Sequence, residues 1–188
     1  MAGLLLCGSF GRELLGQGLE DRRVGLFAGY TFADAANPSD LDSRVGFSGV
    51  HIGIYVAQTR WLRWTGDIMG GINSGVLGQN IVYGFGGPEF TKRTGAATFF
   101  GHALFGHGEV DGGLFSADKG GFAMAFGGGV DVKLNSRFNL RVVQLDYLPS
   151  RFEGQAESIF GPTGPLVISW DSNLRVSAGI VLKFGHNP

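Results

Sequence analysis

Two long segments of the chain alternate regularly between apolar and other residues. In segment 173–184 the even-numbered residues are all apolar, and the odd-numbered ones are polar, charged or glycine apart from Val181. In segment 122–134 the even-numbered residues are apolar or glycine, and the odd-numbered ones are alanine, glycine, one aspartate and one lysine. A period of two predicts β-strands. Both segments are long enough for tilted strands that cross a membrane.

Six further segments have a weaker strand pattern and bring the predicted number of strands to about eight. They are 23–32, 46–57, 61–70, 80–88, 95–106 and 137–148. The predicted connections alternate in length. Long ones at 33–45, 71–79, 107–121 and 149–172 separate short ones near 58–60, 89–94 and 135–136. Short turns at one rim and long loops at the other are typical of an all-β, closed antiparallel up-and-down barrel in a membrane.

Segment 137–148 breaks the alternation. Arg141 shares its parity with Leu145, whereas Asp146 shares its parity with Leu140. A β-bulge between Arg141 and Asp146 would place both charges on the same side of the sheet. We therefore predict a bulge in this segment.

Composition favours a protein that exposes apolar surface to something other than water. Charged residues make up 16% of the chain, and the mean hydropathy is +0.13. A typical soluble domain has about 25% charged residues. The net charge is −1 without a basic stripe, which argues against nucleic-acid binding. The single cysteine permits no intrachain disulfide.

The alanine and glycine face of segment 122–134 indicates which face of the strands lines the lumen and which meets lipid. Small residues suit the narrow lumen of an eight-stranded barrel, so the large apolar face is predicted to meet lipid. This orientation assigns eight charged residues to the lumen. They are Arg63, Asp67, Asp131, Lys133, Arg141, Asp146, Arg175 and Lys183. Because unpaired buried charges are costly, Asp131 is expected to pair with Arg141 and Asp146 with Arg175.

No residue pattern indicates catalysis, a cofactor or a metal. Ser48 and His51 lie three apart on one predicted strand and therefore face opposite sides, and no GxSxG sequence occurs. His102 and His107 lie near acidic residues, but most such histidines are loop or interface residues. The acidic segment 33–45 lacks the residue order of a calcium loop. We expect a protein that is not an enzyme.

The end of the last segment resembles the outer-membrane β-barrel family, in particular the OmpA-type eight-stranded transmembrane barrels. Ser177, Gly179, Leu182 and Phe184 follow the spacing of the signal by which such barrels are inserted. The resemblance covers 23–184. It implies a place in the outer membrane of a Gram-negative-type bacterium, at the cell surface. It also implies outer-membrane lipid and the barrel-insertion machinery as partners.

The predicted organisation is a leader remnant or flexible segment at 1–22 and a transmembrane barrel domain at 23–185. The expected role is structural or surface-interacting through the long loops, with a lumen largely plugged by charged side chains. Three alternatives stay open: a narrow passive pore for ions or small solutes, a self-assembling structural homopolymer, and a soluble lipocalin-like binding barrel. The ligand of the loops is not predicted.

Overall fold

The chain forms a closed barrel of eight antiparallel β-strands. A computed structural model describes residues 24–37, 40–72, 80–111, 119–158 and 161–184. The strands are β1 (Val24–Asn37), β2 (Asp40–Ala57), β3 (Leu62–Ile72), β4 (Asn80–Thr94), β5 (Ala97–Asp111), β6 (Lys119–Lys133), β7 (Phe138–Ser158) and β8 (Gly161–Phe184). Each strand pairs with the next, and β1 also pairs with β8. The predicted fold class is therefore confirmed. Among the described residues, no helix is long and apolar enough to cross a membrane.

The two faces of the strands differ sharply. Large apolar side chains point outward around the whole barrel, and many of them are about half exposed. They include Tyr30, Phe32, Val50, Ile52, Trp64, Ile68, Val82, Phe105, Phe126, Val142, Leu174 and Ile180. The alanine and glycine face of β6 points inward, where Ala123 and Ala125 are fully buried. The predicted orientation of this strand is confirmed.

The predicted bulge lies in β7. The register between β7 and β8 shifts between Arg141 and Gln144, so that Val142 and Val143 together face a single residue of β8. The extra residue changes the parity of the strand, and Arg141 and Asp146 both point into the lumen.

The two rims of the barrel carry different connections. The rim with the turns 58–61, 95–96 and 134–137 is called the short-turn rim. The start of β1 at Val24 and the end of β8 at Phe184 lie at the same rim. Gly95 has a φ of 59°, which favours glycine in this tight turn. The predicted turn at 89–94 was placed too early, because β4 continues to Thr94.

The opposite rim, called the long-strand rim, corrects the prediction of long loops at 33–45, 107–121 and 149–172, whereas residues 73–79 of the predicted loop 71–79 lie outside the described residues. Most of 33–45, 107–121 and 149–172 is strand, because β1, β2 and β5 to β8 continue past the predicted ends. β7 and β8 have 21 and 24 residues, whereas about 11 suffice to cross a membrane. Their ends form a two-stranded ribbon in which Ser158 pairs with Gly161. The predictions for 1–22 and for residue 185 lie outside the described residues.

Candidate functional site

The lumen holds a cluster of buried charged side chains. Six of the eight residues assigned to the lumen from the sequence are buried there: Arg63, Asp67, Asp131, Arg141, Asp146 and Arg175. Lys133 is exposed at the short-turn rim, and Lys183 is half-buried there, where its ammonium group donates to the carbonyl of Asn135. These two lysines lie at strand ends and not in the closed part of the lumen.

Arg175 is the centre of the cluster. Its guanidinium group is fully buried and donates to Asp67 through Nη1 and Nη2, at 3.0 and 2.8 Å. It donates to Asp146 through Nε at 2.8 Å, as the register of β7 and β8 predicts. Nε2 of His51 lies 2.8 Å from Oδ2 of Asp67. The fork of donors on one guanidinium therefore binds two carboxylates from different strands.

Arg141 forms the second charged centre. Its Nε lies 2.8 Å from Oδ1 of Asp131, which is the pair predicted from the sequence. Its Nη1 donates to Oε1 of Gln144 at 2.6 Å, and Nε2 of Gln144 donates to Asp146 at 2.7 Å. Gln144 thus joins the two charged centres into one hydrogen-bonded network.

Besides Gln144, three ionisable members of the network were missed in the sequence. Glu89 lies 2.5 Å from the Nη2 of Arg63, and both side chains are buried. His102 lies 2.7 Å from Asp146 and 3.7 Å from Glu89. His51 and His102 thus extend the network to β2 and β5. Glu89 lay beyond the predicted end of β4 at residue 88. His51 was placed on a strand and considered only with Ser48, and His102 was grouped with His107 among loop or interface residues.

Aromatic rings lie close to two of the arginines in the lumen. The guanidinium of Arg141 lies between the rings of Phe27 and Phe100, at 4.4 and 4.2 Å from their centres. The guanidinium of Arg63 lies 4.1 Å from the ring centre of Tyr55. Stacking of this kind is favourable where the cation is desolvated. The arginines are therefore held by both ion pairs and ring faces.

Apolar side chains fill other parts of the lumen. A large cluster lies toward the long-strand rim and consists of Ala33, Phe47, Met69, Ile81, Tyr83, Phe85, Leu104, Ala123, Ala125 and Leu148. A smaller cluster of Phe27, Tyr55 and Val181 packs in the other half. Asn173 donates to the hydroxyl group of Tyr83 at 3.0 Å, which satisfies the polar end of that ring. Side chains therefore occupy the lumen at several levels.

Glycine is required where the wall approaches the network. A Cβ atom at Gly127 would overlap the carboxylate of Asp146 and the carbonyl oxygen of Leu145. The small residues of β6 thus make room for the charged side chains of β7. This is the packing that the alanine and glycine face suggested.

The four residues of the predicted insertion signal lie on β8 beside the closing seam with β1. The hydroxyl group of Ser177 lies 2.8 Å from that of Thr31 inside the barrel, and Gly179 faces Gly29 across the seam. The side chain of Phe184 is on the outer surface and 46% exposed, and Leu182 is partly exposed. Their role as an insertion signal stays a prediction.

Among the side chains that the structure describes, those considered for catalysis and metal binding do not form a site. Most of the acidic segment 33–45 lies outside them. His51 is buried inside against Asp67, whereas Ser48 lies on the opposite parity of β2. His107 is exposed and lies 3.6 Å from Glu109. Among the residues that the structure describes, no three His, Cys, Asp or Glu side chains are grouped so that they could hold a metal ion.

Comparisons with known proteins identify similar solved structures. The chain matches no protein-family model, and no curated protein sequence matches it. Neisserial surface protein A has a TM-score of 0.60 at 14% identity, covering 86% of this chain and 97% of that chain. Ail, the attachment invasion locus protein of Yersinia pestis, has a TM-score of 0.57 at 12% identity, covering 86% and 98%. Ail in complex with the heparin analogue sucrose octasulfate has a TM-score of 0.54 at 12% identity, covering 87% and 99%.

These similarities cover nearly the whole length of each solved chain and agree with the closed eight-stranded topology. At these identities the likeness concerns the fold. The chain has the fold of the eight-stranded outer-membrane β-barrels.

Proposed function

We propose that this chain is an outer-membrane β-barrel of a Gram-negative-type bacterium with a closed lumen and a structural or surface-interaction role. The observation that carries the proposal is the arrangement of an apolar outer face around a charged, paired interior. The role is not enzymatic. Its partners are outer-membrane lipid and the barrel-insertion machinery.

The apolar outer face supports a lipid environment over a soluble lipocalin-like barrel. Monomeric soluble proteins rarely expose contiguous apolar patches larger than a few hundred Å². Here aromatic and aliphatic side chains are exposed on all eight strands, for example Ile52 on β2 and Ile180 on β8. A soluble binding barrel would instead have an apolar cavity, whereas this lumen contains three arginines that are paired with carboxylates.

Gel mobility tests the membrane assignment. Folded membrane barrels usually resist SDS until they are boiled, so we expect unboiled and boiled samples to migrate differently. Solubility is measured alongside, and the protein should precipitate unless detergent or lipid is present. A chain that stays soluble without detergent and shows no shift on boiling contradicts the proposal.

The packed network supports a closed lumen over a passive pore. An eight-stranded barrel has an interior just wide enough for side chains to fill. Arg175 spans this interior to Asp67 on β3 and to Asp146 on β7. We expect purified protein in planar bilayers to show no steady channels. Steady single-channel currents that persist in independent preparations would overturn the closed lumen and favour the pore.

The long-strand rim supports the surface-interaction role. β7 and β8 continue as a paired ribbon from Pro149 opposite Ser172 to Ser158 opposite Gly161. One protein of the same fold is an attachment invasion locus protein and is also described with the heparin analogue sucrose octasulfate. By analogy of fold, we propose that the long-strand rim faces outward and contacts molecules outside the cell.

Epitope insertion tests the orientation. A tag inserted within 112–118, between β5 and β6, should bind antibody on intact cells. The matched control is the same tag in the turn at Gly95, which should bind antibody only after permeabilisation. The reverse labelling would contradict the proposed orientation while leaving the membrane assignment intact.

A further inference from the structure

The charged side chains in the described part of the short-turn rim are all positive. Its described residues include six cations: Arg60, Lys92, Arg93, Lys133, Arg137 and Lys183. The described rim segments 57–62, 90–98, 132–138 and 182–184 contain no aspartate or glutamate. Among the described residues, the carboxylates that adjoin these segments in sequence, Glu89 and Asp131, are buried in the lumen and paired with arginines. The outer surface of this rim is therefore suited to bind anions.

An apolar groove lies on the outer surface at this rim. Lys92 is part of its lining, and Arg60 directly precedes another lining residue, Trp61. It has a volume of about 270 Å³ and is lined by Trp61, Phe90, Thr91, Lys92, Phe99, Phe100 and Gly101. Phe90 on β4 pairs with Gly101 on β5, which has no side chain to fill the space between them. A Cβ atom at Gly101 would have one neighbour, a carbonyl oxygen at 3.6 Å. The glycine therefore forms an open floor between aromatic walls.

One wall of the groove is fixed by contacts beyond the end of β3. The backbone N–H of Thr91 donates to the carbonyl oxygen of Trp61 at 2.8 Å, and the Thr91 hydroxyl group donates to the carbonyl oxygen of Arg60 at 3.2 Å. The ring of Trp61 stacks on that of Phe90, with centres 6.0 Å apart and planes 6° apart. The turn is thus tied to β4, and the wall is preformed.

We propose that this groove binds one acyl chain of an anionic phospholipid, whose phosphate is bound by Lys92 and Arg60. The proposal rests on the proposed membrane location. An acyl chain matches the aromatic walls and the glycine floor, and a phosphodiester matches cations that have no ion-pair partner among the described residues. A second copy of the chain fits this rim poorly, because two cationic rims repel each other. Free phosphate would leave the aromatic walls uncovered.

Quenching of tryptophan fluorescence tests the proposal directly at the groove. Trp64→Phe and Trp170→Phe leave Trp61 as the single reporter. The protein is folded into vesicles of phosphatidylcholine that contain a brominated lipid, either phosphatidylglycerol or phosphatidylcholine, at the same mole fraction. We expect stronger quenching by the anionic lipid. The preference should fall as salt is added, because screening weakens exposed charge pairs.

Two variants and two matched controls separate a specific groove from a general attraction. Lys92→Gln should reduce the preference by up to about fivefold, since it removes a direct ion pair with the phosphate and an exposed pair contributes a factor of up to about five. Gly101→Leu fills the floor and should reduce quenching by both brominated lipids. Arg137→Gln removes a cation elsewhere on the rim, and Gly84→Leu adds a side chain where no atom lies within 4 Å. In both controls the fluorescence of Trp61 should be quenched to the same extent as in the parent protein.

Each other outcome overturns the proposal. Equal quenching by the two lipids means that the groove has no preference for an anionic headgroup. An equal loss in Lys92→Gln and Arg137→Gln means that the whole rim attracts lipid without a defined site. Loss of the preference on addition of inorganic phosphate at constant ionic strength means that the site recognises the anion alone. A heat-dependent gel shift is recorded for every sample, so a failure to form a membrane barrel is distinguished from a failure of this site.

Discussion

Replacement of Arg175 by methionine should destabilise the barrel strongly. The arginine is 1% exposed and makes four contacts with Asp67 and Asp146 at 2.7 to 3.0 Å. Methionine preserves much of the side-chain volume but leaves two carboxylates without their main partner. Removing one member of a buried ion pair costs about 3–5 kcal/mol. His51 and His102 still contact the two carboxylates and limit the loss, so we expect a value within this range.

Reversible unfolding by denaturant in lipid vesicles, followed by tryptophan fluorescence and gel shift, measures this free energy. A rescue variant combines Arg175→Met with Asp67→Asn and Asp146→Asn, so that no carboxylate is left unpaired. It should recover most of the lost free energy, because neutral groups in the same place are far less costly to bury. The matched control is Lys133→Met, which removes an exposed cation and should change stability by less than about 0.5 kcal/mol.

A loss of less than about 1 kcal/mol for Arg175→Met would refute the reasoning. Such a small value is typical of solvated ion pairs, and it would mean that water enters the centre of the lumen. The closed lumen would then be refuted as well, and the parent protein would be expected to conduct ions.

Three further predictions concern the bulge, the glycine face and the ribbon. Deletion of Val143 should prevent the heat-dependent gel shift, because loss of the bulge turns a charged side chain of β7 toward lipid. An arginine in contact with lipid destabilises a barrel by about 2–4 kcal/mol. Gly127→Ala should lower the free energy of unfolding by about 1–3 kcal/mol, since its Cβ overlaps Asp146, whereas Gly84→Ala should be nearly neutral. Replacement of 155–166 by an Asn-Gly turn should leave the gel shift unchanged, because these residues lie in the ribbon beyond the barrel, and a loss of the shift would contradict that.

The membrane-spanning part of the fold is predictable because lipid imposes a strict difference between the two faces. The even residues of β8 from Leu174 to Phe184 are apolar for this reason. Val181, the one apolar residue of the other parity there, packs in the lumen with Phe27 and Tyr55. The same logic located the bulge, since Arg141 and Asp146 could not both face inward without it. Pairing of Asp131 with Arg141 then followed from the register.

The strand extensions were not predictable by the same argument. Outside the membrane both faces of a ribbon meet water, so alternation is lost and turn-forming residues become frequent. Segments 33–45 and 149–172 both contain proline, aspartate and serine, and 149–172 also contains glycine, so both were interpreted as loops. Backbone pairing alone defines these extensions in the structure.

The partners of the charged network were only partly predictable. On β4 the inward residues before Glu89 include Ile81, Tyr83 and Phe85, so the two faces of that strand differ little in polarity. The sequence therefore gives no sign that the lumen changes from apolar to charged along β4. His102 was hard to assign for a related reason, because its neighbours in sequence are aromatic, small or apolar on both faces.

The seam between β1 and β8 determines when the molecule can fold. Val24 pairs with Phe184, so the barrel closes only when residues at opposite ends of the described chain meet. Until then β1 and β8 are open edges that can pair with other chains. Contacts between such distant residues form slowly. The chain must therefore be complete before it folds, and it needs protection from aggregation throughout the time between its synthesis and its closure.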